Sequence, residues 1–304
     1  MRLNLPARKI VEIAGKRLSL SNLEKDLYPS YGFTKAHVLE YYRRISEFIL
    51  PHLKDRPLTL KRYPEGAEKD FFFEKRCPPY HPSWVKTVRL HQDEGGTVCM
   101  VNDLQTLIWV ENLASLELHV PLSMAGYPET PDFMVFDLDP GDQANVLNCA
   151  RVALILRDLL SDMQLTSCVK TSGKKGLHVY VPLNCKETTF EATKTFSKAV
   201  AKTIEKNYPE LVTAKMAKEY RNARVFINWS QNDSSKTMIC VYSLRAGEKP
   251  LVSFPLEWNE LESLAGQGNP EKLQVMYSEA VNRAEKQGDL FLEVLVKKQK
   301  LPYL

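Results

Sequence analysis

Asp137 and Asp139 stand two residues apart at the end of an otherwise apolar run, Phe-Met-Val-Phe-Asp-Leu-Asp-Pro-Gly at 133–141. In an extended strand, alternation puts Phe133, Val135, Asp137 and Asp139 on one face and Met134, Phe136 and Leu138 on the other. The two carboxylates then lie about 6.6 Å apart along the strand. They repel unless a cation sits between them, and that span suits gripping one or two Mg²⁺ or Mn²⁺ ions through oxygen. Asp-Pro-Gly-Asp is also turn chemistry, so a pair that caps the next helix is the competing reading.

A second segment, Thr-Ser-Gly-Lys-Lys-Gly-Leu-His at 171–178, enters a strand. Its two glycines let backbone N–H groups turn toward a ligand, and Ser172, Lys174 or Lys175, and His178 add donors, which together form a phosphate cradle. It is not a P-loop, because GxxxxGK[ST] does not occur. Read alone, Gly-Lys-Lys-Gly is as well explained by a hairpin turn and His178 by strand packing. A third segment, Val-Phe-Ile-Asn-Trp-Ser-Gln-Asn at 225–232, puts Asn228 on the strand face of Phe226, and of Ser230 if the strand continues. A polar side chain between Ile227 and Trp229 needs a hydrogen-bond partner or a ligand if it is buried.

The elements that must position these residues read as α+β. A helix is predicted from Thr34 as N-cap, with Val38, Leu39, Tyr42, Ile45 and Ile49 at helical spacing. Residues 103–119 read as one buried helix, and another follows Asp142 through Val146, Ala150, Ile155 and Leu159. Thr188 and Glu191 form a capping box ahead of a further helix, and a last helix runs from Asn269-Pro270 to near Gly288. Strand-like runs occupy 57–63, 133–139, 178–183, 224–229 and 237–244. Without a regular βαβ beat, the pattern predicts mixed or antiparallel sheets flanked by helices.

The 304 residues are 44% hydrophobic and 26% charged, an ordinary globular composition. No apolar run approaches the roughly 20 residues of a membrane span, and the opening MRLNLPARKI has no secretory apolar stretch. A cytoplasmic protein is expected. Its six cysteines show no metal-finger spacing, so no zinc site and only free thiols are expected. The net charge is +4, but residues 1–90 carry 18 Lys and Arg against 10 Asp and Glu, while the rest carries 23 against 27. A basic N-terminal part suits phosphate binding, and an acidic remainder could house metal ligands.

FDLDPG, SGKKGLHVY and VFINWSQN, in that order, resemble the three catalytic motifs of archaeo-eukaryotic primases, and more closely the polymerase domain of DNA ligase D. The likeness runs through nearly the whole chain. It includes Leu-Glu-Lys-Asp-Leu-Tyr-Pro at 23–29, Thr-Lys at 34–35, Arg-Pro-Leu-Thr-Leu-Lys-Arg-Tyr-Pro-Glu-Gly at 56–66, Phe-Phe-Glu-Lys at 72–75, Glu111-Asn112, Leu-Glu-Leu-His at 116–119 and Tyr-Ser-Leu-Arg at 242–245. The resemblance implies one primase-polymerase domain over 1–304, with a DNA-binding part at about 1–125 and a catalytic part at about 126–304. It implies that Asp137 and Asp139 bind the metals, and that Ser172, Gly173, Lys175, Gly176 and His178 hold the triphosphate with Lys61 and Arg245. Phe72 and Phe73 would stack on template bases, with Lys75 beside them, although if this segment is a strand one of Phe71–Phe73 must point inward. Lys25 and Lys35 would grip the 5′-phosphate across a gap.

The family's third motif normally has an Asp where this chain has Asn228. Three carboxylates would present about −3 to two divalent ions, whereas here the formal charge falls to −2, and a neutral amide oxygen binds more weakly and cannot bridge. Binding is therefore expected to survive while bond formation slows. The resemblance further implies a preference for ribonucleotides and Mn²⁺, gap filling at broken DNA ends, association with the nucleoid, a Ku-like end-binding partner and, since no Lys-x-Asp-Gly motif occurs, a ligase on a separate chain. A primase that starts strands de novo and a catalytically silent DNA-end-binding module are the rivals. The first is disfavoured by the lack of clustered Cys/His ligands and by the Lys25/Lys35 pair.

Overall fold

The two largest sheets of the protein meet at one cleft. The computed structural model describes residues 8–89 and 96–302; residues 1–7, within the stretch read above for a secretory signal, lie outside it. The first of these two along the chain is antiparallel and uses β1 (Thr59–Arg62), β2 (Phe72–Glu74), β3 (Ser115–Pro121) and, from far downstream, a strand at Thr237–Ile239. The second has six strands: β4 (Phe133–Pro140), β5 (Cys168–Thr171), β6 (Leu177–Pro182), β7 (Val212–Thr213), β8 (Val225–Asn228) and one after β9, our label for Thr237–Ile239, namely β10 (Pro255–Leu256). Their orders are β9-β3-β1-β2 and β7-β8-β4-β6-β5-β10. Among the described residues only β7 and β8 pair in parallel. The expected α+β class with mixed and antiparallel sheets is the architecture found.

Helices α1 (Lys35–Leu53), α2 (Leu104–Asn112), α3 (Val146–Asp162) and α4 (Phe190–Asn207) flank these sheets. Thr34 caps α1 as predicted: its side chain accepts from the His37 N–H, and His37 Nδ1 accepts from the Thr34 N–H. A cap of this kind contributes about 1 kcal/mol. Val38, Tyr42, Ile45 and Ile49 are all fully buried below it. Strand β4 is buried on both faces from Phe133 to Leu138 and opens only at Asp139, so its two carboxylates sit where a hydrophobic strand emerges from the core.

Several local expectations are corrected. The run 103–119 is not one helix: α2 ends at Asn112, Ala114 takes a left-handed φ of 59°, and β3 follows. Leu116, Leu118 and Val120 alternate with Ser115, Glu117 and His119, a period of two that only a strand satisfies. The cap of α4 is Thr189, which accepts from the Ala192 N–H, rather than a Thr188/Glu191 box. The 269–288 helix is broken: a 3₁₀ turn at Pro270–Leu273 is followed by extended chain, drawn in by a bridge between Met276 and Leu251, and α5 (our label for Tyr277–Gln287) starts afresh. The strand expected over 237–244 stops at Ile239, and that over 224–229 stops at Asn228, with Ser230 in a 3₁₀ turn. The cysteines are not all free: Cys77 and Cys99 form a disulfide with Cα atoms 4.9 Å apart, where the Cys77 N–H donates to the Thr97 carbonyl just ahead of the strand Val98–Cys99. Sequence spacing could not reveal that approach.

Candidate nucleotide and metal site

Four polar residues stand in one rank across the six-stranded sheet. Asn228 on β8 pairs with Asp137 on β4, Asp137 with His178 on β6, and His178 with Lys170 on β5. Residues directly opposite share a face. Asn228 Nδ2 donates to Asp137 Oδ2 at 3.2 Å, Gln231 Nε2 reaches the same oxygen at 3.4 Å, and His178 Nε2 lies 3.3 Å from Asp137 Oδ1. Ser230 Oγ donates to Asn228 Oδ1 at 2.7 Å. The helix-cap alternative for the Asp pair is thereby removed, since Asn145 and not Asp142 or Asp139 caps α3.

The two carboxylates differ in character. Burial would raise the Asp137 carboxyl, but the His178 hydrogen bond, helped by Gln231 and Asn228, holds it below its ordinary value. Burial and the adjacent Asp137 charge push Asp139 up, to about 7, against a pull from Arg221. Burial, with Lys170 behind it, drops His178 to about 4, so its ring is neutral. A like-charge pair that can keep only one charge unaided is the condition a divalent cation relieves. Among the described residues no group of three or more His, Cys, Asp and Glu is placed to hold a metal. The available set is two carboxylates and the Asn228 amide.

Asp137, Asp139, Ser172, Gly173, Lys174, Lys175, Gly176, His178 and Arg245 line one cleft of about 780 Å³, shared with His119 and Gln231. The 172–176 turn closes on itself: the Ser172 N–H donates to the Gly176 carbonyl, and Ser172 Oγ accepts from the N–H groups of Lys174 and Gly176. Those two backbone donors are therefore spent inside the turn, contrary to the cradle expected from sequence. Gly173 has φ +72°, and a Cβ there would strike the Arg245 side chain, while one at Gly176 would strike the Leu138 carbonyl. Both glycines are required by close approach.

The opposite wall is cationic and gathers around Glu117, which sequence reading left without a role. Glu117 is completely buried on β3, with Lys61 Nζ at 3.6 Å, Lys174 Nζ at 3.4 Å, Arg245 Nη1 at 3.4 Å and His119 Nε2 at 3.1 Å. Lys174, not Lys175, thus joins this group. Lys175 is exposed and makes no ion pair among the described residues. Reading 103–119 as helix concealed Glu117 and His119; as a strand, their i, i+2 spacing puts both on one face beside Lys61, whose register partner is Glu117. Gln231, also missed, had no signal beyond its place in the third motif.

Phe71, Phe72 and Phe73 are all about half exposed, so none points inward as expected. Three consecutive aromatic rings left in solvent are costly unless something covers them. Phe71 and Phe73 pack edge to face, with Lys61 Nζ 3.8 Å and 5.7 Å from their ring centres, whereas Phe72 sits on the other face under Arg62. The pair sharing the cleft-side face is therefore Phe71 and Phe73. Lys75 is exposed beyond them. Lys25 and Lys35 lie near each other elsewhere: the Lys35 N–H donates to the Lys25 carbonyl, and Arg8, Lys9 and Lys25 line a second depression. Lys35 is largely buried, with Nζ donating to the Ser21 carbonyl, and burial, with Arg62 and Lys25 nearby, brings it down to about 8.

Paired carboxylates facing a fan of cations across a groove with exposed aromatic rings are the equipment of nucleotidyl transfer on nucleic acid. The profile of the LigD primase-polymerase domain matches residues 34–291, and the chain belongs to that family. It is 37% identical over 278 residues to the multifunctional non-homologous end joining protein LigD of Mycolicibacterium smegmatis, covering 90% of this chain and 36% of that protein. To the bifunctional LigD of Bacillus subtilis it is 33% identical over 247 residues, 81% of this chain and 40% of that one. The chain thus spans little more than a third of these relatives. The polymerase domain of Mycobacterium tuberculosis ligase D, solved in complex with DNA, superposes with a TM-score of 0.84 at 36% identity, covering 93% of this chain and 99% of that one. Primase-polymerases are nucleotidyltransferases, and divalent metal and nucleoside triphosphate use goes with the class. No helix among the described residues is long and apolar enough to cross a membrane.

Proposed function

We propose that this chain is a template-directed polymerase that fills gaps at DNA double-strand breaks, adding ribonucleotides by preference. The observation that carries the reading is the opening of Asp137 and Asp139 onto the same cleft as Lys174 and Arg245, whose shared carboxylate Glu117 also holds Lys61. The two Asp side chains, with Asn228 as a neutral third donor, would hold Mn²⁺ or Mg²⁺. The ion when bound supplies Lewis acidity and charge neutralisation for in-line displacement at the α-phosphorus. Lys61, Lys174 and Arg245 meet the outer phosphates, with Lys175 reaching from the rim and the Ser172 hydroxyl donating outward. Neutral His178 orients Asp137. Phe71 and Phe73 receive template bases, and Phe72 and Lys75 line the outer path of the strand. Lys25 and Lys35 hold the 5′-phosphate.

We read residues 1–304 as one domain, because β9 from the C-terminal part completes the sheet of the N-terminal part. The preferences for ribonucleotides and Mn²⁺, the Ku-like partner and a ligase acting from outside these residues rest on the family resemblance. Where the family's carboxylate would add charge, the Asn228 amide instead donates a hydrogen bond to Asp137, which supports slow bond formation. The same contact favours a second reading, a DNA-end-binding module without turnover. Primer extension on a 5′-phosphorylated gap, with Mn²⁺ and ribonucleotides or deoxyribonucleotides, tests the first. Tight gap binding with no extension, unrelieved by Asn228→Asp, supports the second.

A further inference from the structure

Glu117 is oversubscribed. A carboxylate offers about four lone-pair directions, yet six donors surround its two oxygens. Tyr63 Oη, the Ala246 N–H and Lys174 Nζ lie 3.2, 3.1 and 3.4 Å from Oε1, and His119, Lys61 and Arg245 approach Oε2. The three cations stand at 3.4–3.6 Å. The committed ion pairs of the same molecule, Arg56–Asp132 and Arg62–Glu74, close to 2.8 Å. Three positive charges share one negative charge, and the Arg245 Nε is buried with no acceptor among the described residues. A structural ion pair needs one cation. Here a formal +2 remains, half-buried, on a cleft wall, a state that is costly until an anion arrives.

We propose that Glu117 is the positioning residue of this wall: its carboxylate holds Lys61, Lys174 and Arg245 charged and aimed at the phosphates of an incoming nucleoside triphosphate without touching the nucleotide. This rests on the nucleotidyl-transfer reading above. Among the described residues this buried carboxylate is the nearby group able to do so, since the other titratable groups facing it are Tyr28, Tyr63 and His119, besides the cations. Burial lowers Lys61, the charge of Glu117 opposes that, and Lys174 and Arg245 add to the lowering. Burial works against the charge of Glu117 itself, but the His119 hydrogen bond and the charges of Arg245 and Lys174 outweigh it and keep the carboxyl well below its usual range.

The test is equilibrium binding of ATP with Mn²⁺, against AMP as the probe without outer phosphates, to the chain saturated with 5′-phosphorylated gapped DNA bearing a templating dT. Glu117→Gln keeps the shape and removes the charge. It should weaken ATP roughly ten-fold, leave AMP and DNA affinity nearly unchanged, and move the alkaline loss of ATP affinity to lower pH. Glu117→Asp, which retains the charge, should restore the alkaline limb. Lys174→Met, at an exposed position, should move that limb the opposite way by relieving Lys61 of a neighbouring charge, and this decides the matter if Glu117→Gln does not fold. Unchanged ATP affinity with an unmoved limb in Glu117→Gln, or no shift in Lys174→Met, overturns the inference alone. Equal ATP and AMP affinity in the unaltered chain overturns the nucleotidyl-transfer reading and this inference together.

Discussion

Asn228 lies directly opposite Asp137 across β8 and β4, and its amide donates to the Asp137 carboxylate at 3.2 Å. An Asp at 228 would instead place a second negative oxygen there and call for a cation between the two. Asn228→Asp should raise Mn²⁺-dependent primer extension by on the order of 100-fold or more, since metal stabilisation of transition-state charge is worth several kcal/mol. Unchanged extension rates with gap binding intact would show that a third carboxylate at this position is not what limits this chain.

The 5′-phosphate grip has its own test. Lys25→Ala with Lys35→Ala should abolish the preference for a 5′-phosphorylated gap over a 5′-hydroxyl gap, leaving extension of a simple overhang largely intact. An equal loss on both substrates would mark these lysines as general phosphate contacts.

The same preference should depend on pH. Lys35 is lowered to about 8 by burial, with Arg62 and Lys25 contributing, so its charge is present below that value and lost above it. Binding a phosphate then requires uptake of a proton that becomes scarcer as pH rises. The affinity ratio for phosphorylated over unphosphorylated gaps should fall between pH 7 and about 9, and a titration of gap affinity across that range measures it. A flat ratio would show that Lys35 does not meet the phosphate.

Phe71 and Phe73 share a face over Lys61, while Phe72 does not. Alanine at either of the first two should weaken single-stranded template binding by about 1–3 kcal/mol, and Phe72→Ala by less. Fluorescence anisotropy of labelled overhangs distinguishes them, and the reverse order would place the template on the other face.

Lys170 is fully buried beneath His178, and burial lowers it to about 7. Between that value and its ordinary one the unfolded chain binds the extra proton, so folding stability rises with pH across this window; the cost of the buried charge is greatest below it. Lys170→Met should therefore be stabilising or neutral at pH 6, with the advantage shrinking toward pH 9 in thermal melts. A large destabilisation at pH 6 would show that the charge supports the fold.

The site was legible where chemistry is written into a short stretch. Alternation alone predicted that Asp137 and Asp139 share a face, and the Thr34 cap and the buried stripe of α1 followed from spacing. Glu117 and His119 were hidden because an apolar run that is helical to Asn112 turns to period two only after Ala114, whose left-handed backbone is sustained by the strand pairing around it. The Cys77–Cys99 bond likewise follows from a contact that no local window contains, whereas the cap of α4 is a local contact that falls one residue later than predicted, at Thr189.

By itself the sequence determined the order of the motifs, the α+β class and the family, because each is carried by residue type and near-neighbour spacing. Only the tertiary structure decided that Asn228, Asp137, His178 and Lys170 form one rank, that Lys174 rather than Lys175 joins Lys61 and Arg245, and that one buried carboxylate gathers them. Sheet register sets which distant residues become neighbours, and register emerges from the packing of whole faces rather than from any single segment.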